Sequence, residues 1–151
     1  MSRALGVECK KQTVYLAISE DGVLFDEGTQ RLQVPAIHEE TARLRGFLAD
    51  FDRLLAEERP DAVRIMQPEA TYEAKYSEFA PKATLETLIR LACDKAGIPV
   101  EVLQRPTART RTGLPQKGNL GDLIGKNIQP VGKYWSAGRM YAAVAALAEE
   151  N

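Results

Sequence analysis

Hydrophobic and polar residues alternate in short runs over the first quarter of the chain. Residues 4–9 and 13–19 are apolar runs joined by the polar residues 10–12, and this pattern predicts a β-hairpin. Two shorter runs follow at residues 23–25 and 31–34, on either side of a glycine, and they predict a third strand. The chain is therefore expected to begin with an antiparallel meander.

Apolar residues spaced three and four positions apart predict two amphipathic helices in the middle of the chain. Residues 38–58 carry the first apolar stripe, and residues 82–96 carry the second. The members of these stripes are Leu44, Phe47, Leu48, Phe51, Leu54 and Leu55, then Leu85, Leu88, Ile89 and Ala92. Gly97 and Pro99 suit the end of the second helix. The alanine-rich residues 134–149 predict a third helix.

Two further strands and one irregular segment complete the predicted order. Ala62–Met66 and Val100–Leu103 are short apolar runs that suit buried parallel strands. Residues 105–133 are rich in Gly, Pro, Thr and basic residues, which predicts an irregular segment with one helical turn near residues 122–126. The result is an α/β fold, with a mixed sheet of three antiparallel strands followed by two parallel strands and helices on both faces. This arrangement resembles the ribonuclease H-like fold.

The composition is that of a single globular domain over residues 1–151. The chain has 44% hydrophobic and 27% charged residues, which is ordinary for a domain that buries most of its apolar surface. It has no run long enough for a membrane span and no signal-peptide pattern, so we expect a cytoplasmic protein. Cys9 and Cys93 have no metal-ligand spacing, and we expect reduced thiols in the core.

Basic residues are concentrated in residues 105–139. The whole chain has a net charge of −1, but this segment has seven basic residues against one acid, Asp122. The seven are Arg105, Arg109, Arg111, Lys117, Lys126, Lys133 and Arg139. A basic segment on an acidic body is typical of a surface that binds phosphate backbones. The alternative is a solvated loop that is merely rich in arginine.

Several kinds of catalytic site are excluded by the sequence. The single histidine, His38, has no serine or cysteine partner in any local motif. Residues 118–127, GNLGDLIGKN, lack the glycine spacing of a phosphate-binding loop and the Ser or Thr that should follow Lys126. No zinc-ligand spacing is present. Carboxylates at strand ends are the remaining candidates.

Glu8 and Glu69 are the candidate catalytic and metal-ligating residues. Alternation along the first strand puts Glu8 on the side of its small residues, and Glu69 follows Ala62–Met66 at the sheet edge where α/β proteins bind ligands. If these strands are neighbours, two carboxylates about 4 Å apart repel by roughly 4 kcal/mol. A proton, a basic side chain or a divalent cation would have to separate them, and oxygen ligands favour magnesium or manganese. In the alternative, Glu8 pairs with Lys10 or an arginine and has no chemical role.

Three local motifs are similar to those of one nuclease family. Residues 5–8, LGVE, lie where that family has its first catalytic acid, usually an aspartate. Glu69, with Phe79 and the helix after it, resembles the second acidic motif. Residues 98–107, IPVEVLQRPT, resemble a strand that ends in a Pro-Thr pair before a basic loop. The chain thus resembles RuvC, the Holliday-junction resolvase branch of the ribonuclease H-like nucleases, which implies a magnesium-dependent site and dimerisation through a helix.

The sequence departs from that family at the start of the last helix. Resolvases have their remaining acids there, whereas residues 134–141, YWSAGRMY, contain no carboxylate. Arg139 is expected to pair with Glu8 or Glu69 in place of a cation. A glutamate as the first acid also shifts the ligand oxygen by one methylene, whereas two-metal catalysis needs ions about 3.5–4 Å apart. The metal site is therefore predicted to be incomplete.

The first functional hypothesis is a RuvC-like protein that binds DNA or RNA phosphates and has an incomplete metal site. The basic segment at residues 105–139 would supply the contacts, so affinity would fall steeply with salt. The residues assigned to these contacts are Arg105, Arg109, Arg111, Lys117 and Arg139.

Two other hypotheses stay open. One is an active magnesium-dependent endonuclease in which Glu8 and Glu69 act with a third acid, Glu73 or Asp122. The other is a protein-binding or small-ligand-binding module. Aromatic residues that could line its pocket are Tyr72, Tyr76, Tyr134 and Trp135. A homodimer formed through the final helix or the stripe at residues 85–92 is compatible with each hypothesis.

Overall fold

A mixed β-sheet lies between two layers of helices in the computed structural model, which describes residues 2–67 and 76–150. The strands are β1 (Arg3–Lys10), β2 (Thr13–Glu20), β3 (Val23–Phe25), β4 (Arg31–Gln33), β5 (Ala62–Met66) and β6 (Val100–Leu103). The helices are α1 (Glu40–Glu58), α2 (Tyr76–Ala96), α3 (Arg105–Thr112), α4 (Leu120–Asn127) and α5 (Met140–Leu147), with a π-helical turn at Trp135–Arg139 before α5.

The sheet has the predicted topology. Its strand order is β3-β2-β1-β5-β6, and β4 also pairs with β2. β1 and β2 are antiparallel, whereas β5 and β6 run parallel to β1. The predicted third strand consists of two short pieces, β3 and β4, that pair separately with β2. Because β1 and β5 are direct neighbours, the carboxyl ends of these strands lie at the same edge of the sheet.

One face of the sheet packs on α1 and α2. The predicted stripe residues Phe47, Phe51, Leu85 and Ile89 are buried in this core, which also contains Cys9 and Cys93. The 85–92 stripe is therefore a core face, and the homodimer predicted through it loses its support. Both cysteines are free, and burial raises the pKa of Cys9 to about 12 and that of Cys93 to about 11. They are packed thiols, as expected.

The other face of the sheet packs closely on α5. Gly6 of β1 makes this approach possible, because a Cβ atom built there would lie 1.8 Å from the Ala142 carbonyl oxygen of α5. Arg64 of β5, opposite Gly6 in the register, donates from Nη1 to the Ala146 carbonyl oxygen at 2.9 Å. Ser19 donates to the same oxygen at 2.9 Å. These donors satisfy the carboxyl end of a helix whose own last carbonyls lack partners.

Residues 105–133 contain two helices, so the prediction of an irregular segment is wrong, although the helical turn predicted near residues 122–126 lies within α4. Pro106 stands in the first turn of α3, where its fixed φ suits a helix and its missing N–H costs nothing. Gly113 ends α3 with φ 76°, and its amide donates to Arg109 and Thr110 carbonyls. Asn119 caps α4 by accepting from the Asp122 amide. Pro106, Gly113 and Asn119 thus mark helix ends.

The other helices differ from the predictions at their ends. α2 begins at Tyr76 and contains Pro81, which has no N–H to donate and so removes one intrahelical hydrogen bond. The predicted helix at residues 134–149 is broken at Gly138, which has φ 149°. α5 therefore begins only at Met140. Within the described ranges, no helix combines the length and apolarity that crossing a membrane requires.

Candidate functional site

Glu8 lies near the carboxyl end of β1, and its side chain is buried. The residue is 6% exposed and lies directly opposite Tyr15 of β2. The Nζ atom of Lys82, near the start of α2, is 3.6 Å from the Glu8 Oε1 atom. The Oε2 atom is buried and has no hydrogen-bond partner among the described residues. Glu8 therefore has one oxygen against a basic side chain and one without a described donor.

Burial raises the pKa of Glu8 from 4.5 to about 7. Loss of solvation is the largest cause, and the positive charges of Lys82, Arg105 and Lys10 act in the opposite direction. We call Glu8, Lys10, Lys82 and Arg105 the strand-end cluster. Because the cost of burying the carboxylate exceeds the attraction of three cations, Glu8 exchanges a proton near neutral pH.

Arg105 and Lys10 are fixed by contacts with backbone and aromatic groups. Arg105 is the first residue of α3, just after β6, and its Nε atom donates to the carbonyl oxygen of Gln67, just after β5, at 3.0 Å. Its Cζ atom lies 4.6 Å from the ring centroid of Tyr141 in α5. Lys10 Nζ donates to the Ala137 carbonyl oxygen at 3.3 Å. The three cations of the cluster thus come from three different elements, β1, α2 and α3, that meet at one edge of the sheet.

Arg139 does not pair with Glu8, so that part of the prediction is wrong, and the alternative pair with Glu69 lies outside the described residues. The residue is 1% exposed, and its Nε atom donates to the Leu16 carbonyl oxygen at 2.7 Å. Its Nη2 atom donates to the Phe25 carbonyl oxygen at 3.2 Å, and Nη1 donates to the Val131 carbonyl oxygen. Backbone dipoles therefore compensate this buried charge, and the guanidinium lies away from any surface that could contact phosphates.

Arg109 and Arg111 also have internal partners. Arg109 is 8% exposed and donates to the Pro115 and Gly118 carbonyl oxygens at 2.8 and 2.9 Å, which fixes the connection between α3 and α4. Arg111 Nη1 lies 2.6 Å from Glu101 Oε1. Their guanidinium groups already have partners within the fold. The number of positive charges available to a ligand is therefore smaller than the net charge of the segment.

Lys117 is exposed in the connection between α3 and α4, and Arg105 is half-buried. These two predicted nucleic-acid-binding residues keep charge that a ligand could reach, and their phosphate contacts stay a prediction. Lys82 was missed as a site residue, and Lys10 was predicted only as a pairing partner of Glu8 without a chemical role. The hairpin pattern places Lys10 at the end of β1 and so could have indicated it, but no local sequence signal connects Lys82 to Glu8.

The remaining predicted site residues lie elsewhere or cannot be placed. Glu69, Glu73 and Tyr72 lie outside the described residues. Asp122 is exposed in the first turn of α4. Tyr76 begins α2. Tyr134 is partly exposed, and Trp135 packs against the alanine-rich core around α5. In residues 2–67 and 76–150, no three His, Cys, Asp or Glu side chains form a group that could hold a metal ion.

Comparison with known proteins identifies the fold. No protein-family model and no curated protein sequence matches the chain. Thermus thermophilus RuvC in complex with a Holliday junction substrate matches with a TM-score of 0.73 and 12% identity, over 98% of this chain and 92% of that one. The fold is RuvC-like. A second T. thermophilus RuvC structure has a TM-score of 0.71 and 13% identity, covering 97% of this chain and 92% of RuvC. The yeast mitochondrial Holliday junction resolvase Ydc2 has a TM-score of 0.61 and 12% identity, covering 97% of this chain and 75% of Ydc2.

The described residues of this RuvC-like fold do not suit a divalent cation at the strand ends. Glu8 supplies carboxylate oxygens, but the Lys82 ammonium already lies 3.6 Å from one of them. Lys10 and Arg105 are close enough to lower the pKa of the same carboxyl. A dication placed among three positive side chains would be repelled by each of them, and oxygen-rich ligand sets are what magnesium requires.

Stability is expected to fall as pH rises through the range in which Glu8 ionises. The unfolded carboxyl releases its proton near pH 4.5, whereas the folded one keeps it until about pH 7. Over that window the unfolded state binds fewer protons, so the free energy of unfolding decreases by about 3 kcal/mol from this group. The Glu8→Gln variant has no carboxyl at this position and so does not lose this stability. The free energy of unfolding of the variant relative to wild type should therefore rise by about 3 kcal/mol between pH 4.5 and about pH 7.

The measurement is urea unfolding of both proteins from about pH 4.5 to about pH 8. Glu57→Gln, which removes an exposed carboxylate from α1, supplies the baseline for losing a surface charge. If the free energies of unfolding of Glu8→Gln and wild type differ by the same amount over this whole pH range, the raised pKa of Glu8 is contradicted.

Proposed function

We propose that this protein binds nucleic-acid phosphates at the carboxyl ends of β1, β5 and β6 and does not carry out two-metal hydrolysis there. The observation that carries the proposal is the charge of the strand-end cluster. Glu8 is surrounded by Lys10, Lys82 and Arg105, and its own charge is diminished because burial raises its pKa to about 7. A cluster with this balance attracts anions and repels the cations that a nuclease site must collect.

The location of the cluster supports nucleic acid as the anion. In open α/β sheets, ligands bind at the carboxyl ends of the strands, and three strands end at this cluster. The RuvC-like fold adds support, since T. thermophilus RuvC, which has this fold, was determined in complex with a Holliday junction substrate. Lys117 adds an exposed positive charge between α3 and α4, while Arg109, Arg111 and Arg139 make internal contacts that stabilise the fold.

Binding is expected to weaken steeply with salt. Fluorescence anisotropy of labelled four-way junction, duplex and single-stranded DNA between ~50 and ~200 mM salt measures the slope of log K against log salt concentration. Lys10→Gln and Lys117→Gln should each reduce that slope by about 1, because each removes one phosphate contact. Lys95→Gln is the matched control, since Lys95 is exposed in the last turn of α2, away from the strand-end cluster.

Three outcomes would contradict the proposal. The first is absence of binding to all three DNAs at the lowest salt concentration. The second is an equal effect of Lys95→Gln and Lys10→Gln, which would indicate attraction to the surface as a whole. The third is magnesium-dependent cleavage of the junction that Glu8→Gln abolishes, and this result would establish the endonuclease hypothesis instead.

A further inference from the structure

A row of side chains crosses the sheet beside the strand-end cluster. Glu8 of β1 lies opposite Tyr15 of β2, and Tyr15 lies opposite Arg31 of β4. Directly opposed residues share one face of a sheet, so the row leads from the buried carboxyl to the exposed Arg31. Tyr134 lies at the outer end of the row, because the Arg31 Cζ atom is 4.3 Å from its ring centroid.

The backbone of Tyr134 is strained. The residue has φ 61° and ψ 21°, a left-handed conformation that side chains with a Cβ atom rarely adopt. Its carbonyl oxygen accepts from the amides of Ala137 and Arg139, both at 3.2 Å. The preceding Lys133 amide donates to Gln30 Oε1 at 2.6 Å. Contacts on both sides therefore hold a conformation that glycine would adopt at lower cost, and yet the position carries a large aromatic ring.

The Tyr134 ring is presented to solvent. It is 37% exposed, whereas Tyr15 is 9% exposed, and the two ring centroids are 6.4 Å apart with the planes tilted by 48°. Tyr15 thus supports a ring that has Arg31 over it. A cation–π pair at an exposed site contributes little to stability, so this pair does not by itself account for the strain at Tyr134. Guanidinium planes and tyrosine rings are, however, surfaces on which nucleobases stack.

We infer that Arg31 and Tyr134 form a stacking site for one unpaired nucleobase. This inference rests on the proposed function, because the strand-end cluster would bind the phosphates next to that base. An unpaired base would stack on the Arg31–Tyr134 pair, and the Arg31 charge would attract the phosphate next to that base. Bases inside a duplex already stack on each other, so the ligand class is single-stranded or branched nucleic acid with an unpaired base.

The test compares two single strands with equal charge. One is a thymidine oligomer, and the other is an abasic oligomer with the same number of phosphates. We expect the wild type to bind the thymidine oligomer about tenfold more tightly, because one stacked base contributes on that order. Tyr134→Gly should abolish this preference and leave affinity for the abasic oligomer unchanged, whereas Tyr134→Phe should retain it.

These variants separate loss of stacking from loss of folding. Glycine removes the ring and is also the residue that best tolerates φ 61°, so Tyr134→Gly is not expected to lower the melting temperature. Equal affinity of the wild type for both oligomers, or a preference that survives in Tyr134→Gly, would overturn the stacking site and leave the phosphate-binding function standing. Failure of the wild type to bind either oligomer would overturn both.

Discussion

Replacing Gly6 with alanine is expected to lower the free energy of unfolding by at least about 3 kcal/mol. The added Cβ atom would lie 1.8 Å from the Ala142 carbonyl oxygen and 2.6 Å from the Ala146 amide nitrogen. Both atoms belong to the backbone of α5, so no side chain can rotate away to relieve the clash. α5 would have to move off β1, which exposes the alanine-rich core between them. Urea unfolding followed by circular dichroism measures the change.

Gly125→Ala is the matched control for this substitution. Gly125 lies within α4, and a Cβ atom there would have no atom outside its own helix turn within 4 Å. Alanine should therefore raise stability by about 0.5–1 kcal/mol, because glycine is the poorer helix former. The same chemical change is thus expected to have opposite signs at the two positions. Similar stability of Gly6→Ala and wild type would mean that α5 does not lie against β1 as closely as the structure has it.

Replacing Arg139 with methionine is expected to lower the free energy of unfolding by about 3 kcal/mol. Methionine fills much of the same volume but leaves the carbonyl oxygens of Leu16, Phe25 and Val131 without their donor. Each of these oxygens would lose a charge-assisted hydrogen bond, which is buried at Leu16 and partly buried at Phe25 and Val131. Burial lowers the pKa of Arg139, and part of the loss is offset because the variant no longer buries a charge.

Arg90→Met is the control for Arg139→Met, because Arg90 is exposed on α2. It should change the free energy of unfolding by less than about 0.5 kcal/mol. Arg139→Lys adds a second comparison, since lysine keeps the charge but lacks the planar fork that reaches several acceptors. It should recover only part of the lost stability. Equal effects of Arg139→Met and Arg90→Met would refute a structural role for the three carbonyl contacts.

The strands that position the site could be predicted from the sequence. β5 and β6 have the predicted bounds, because short apolar runs bounded by turn residues leave few alternatives. Alternation in β1 places Glu8 on the side of Gly6, and α5 packs closely against Gly6 on that side. These features depend on the two-residue period of strands and on turn residues, and both are determined by residues that are close together in the sequence.

The partners of the charged residues could not be predicted in the same way. Arg139 lies 123 positions from Leu16 in the chain, and Lys82 meets Glu8 only because α2 passes the end of β1. Composition also misled the prediction for α3 and α4, since Pro106, Gly113 and Asn119 stand at helix ends. A count of arginines in residues 105–139 gives the charge of the segment but not which guanidinium groups the backbone already occupies.

Lys82 gives the strand-end cluster a property that a bound ion does not have. Its ammonium is covalently attached to α2 and lies 3.6 Å from Glu8, so its presence does not depend on the concentration of free divalent cations. A chelator cannot remove it, and another metal cannot replace it. The positive charge facing Glu8 is therefore part of the polypeptide itself, whereas a metallonuclease must bind its metal ions from solution.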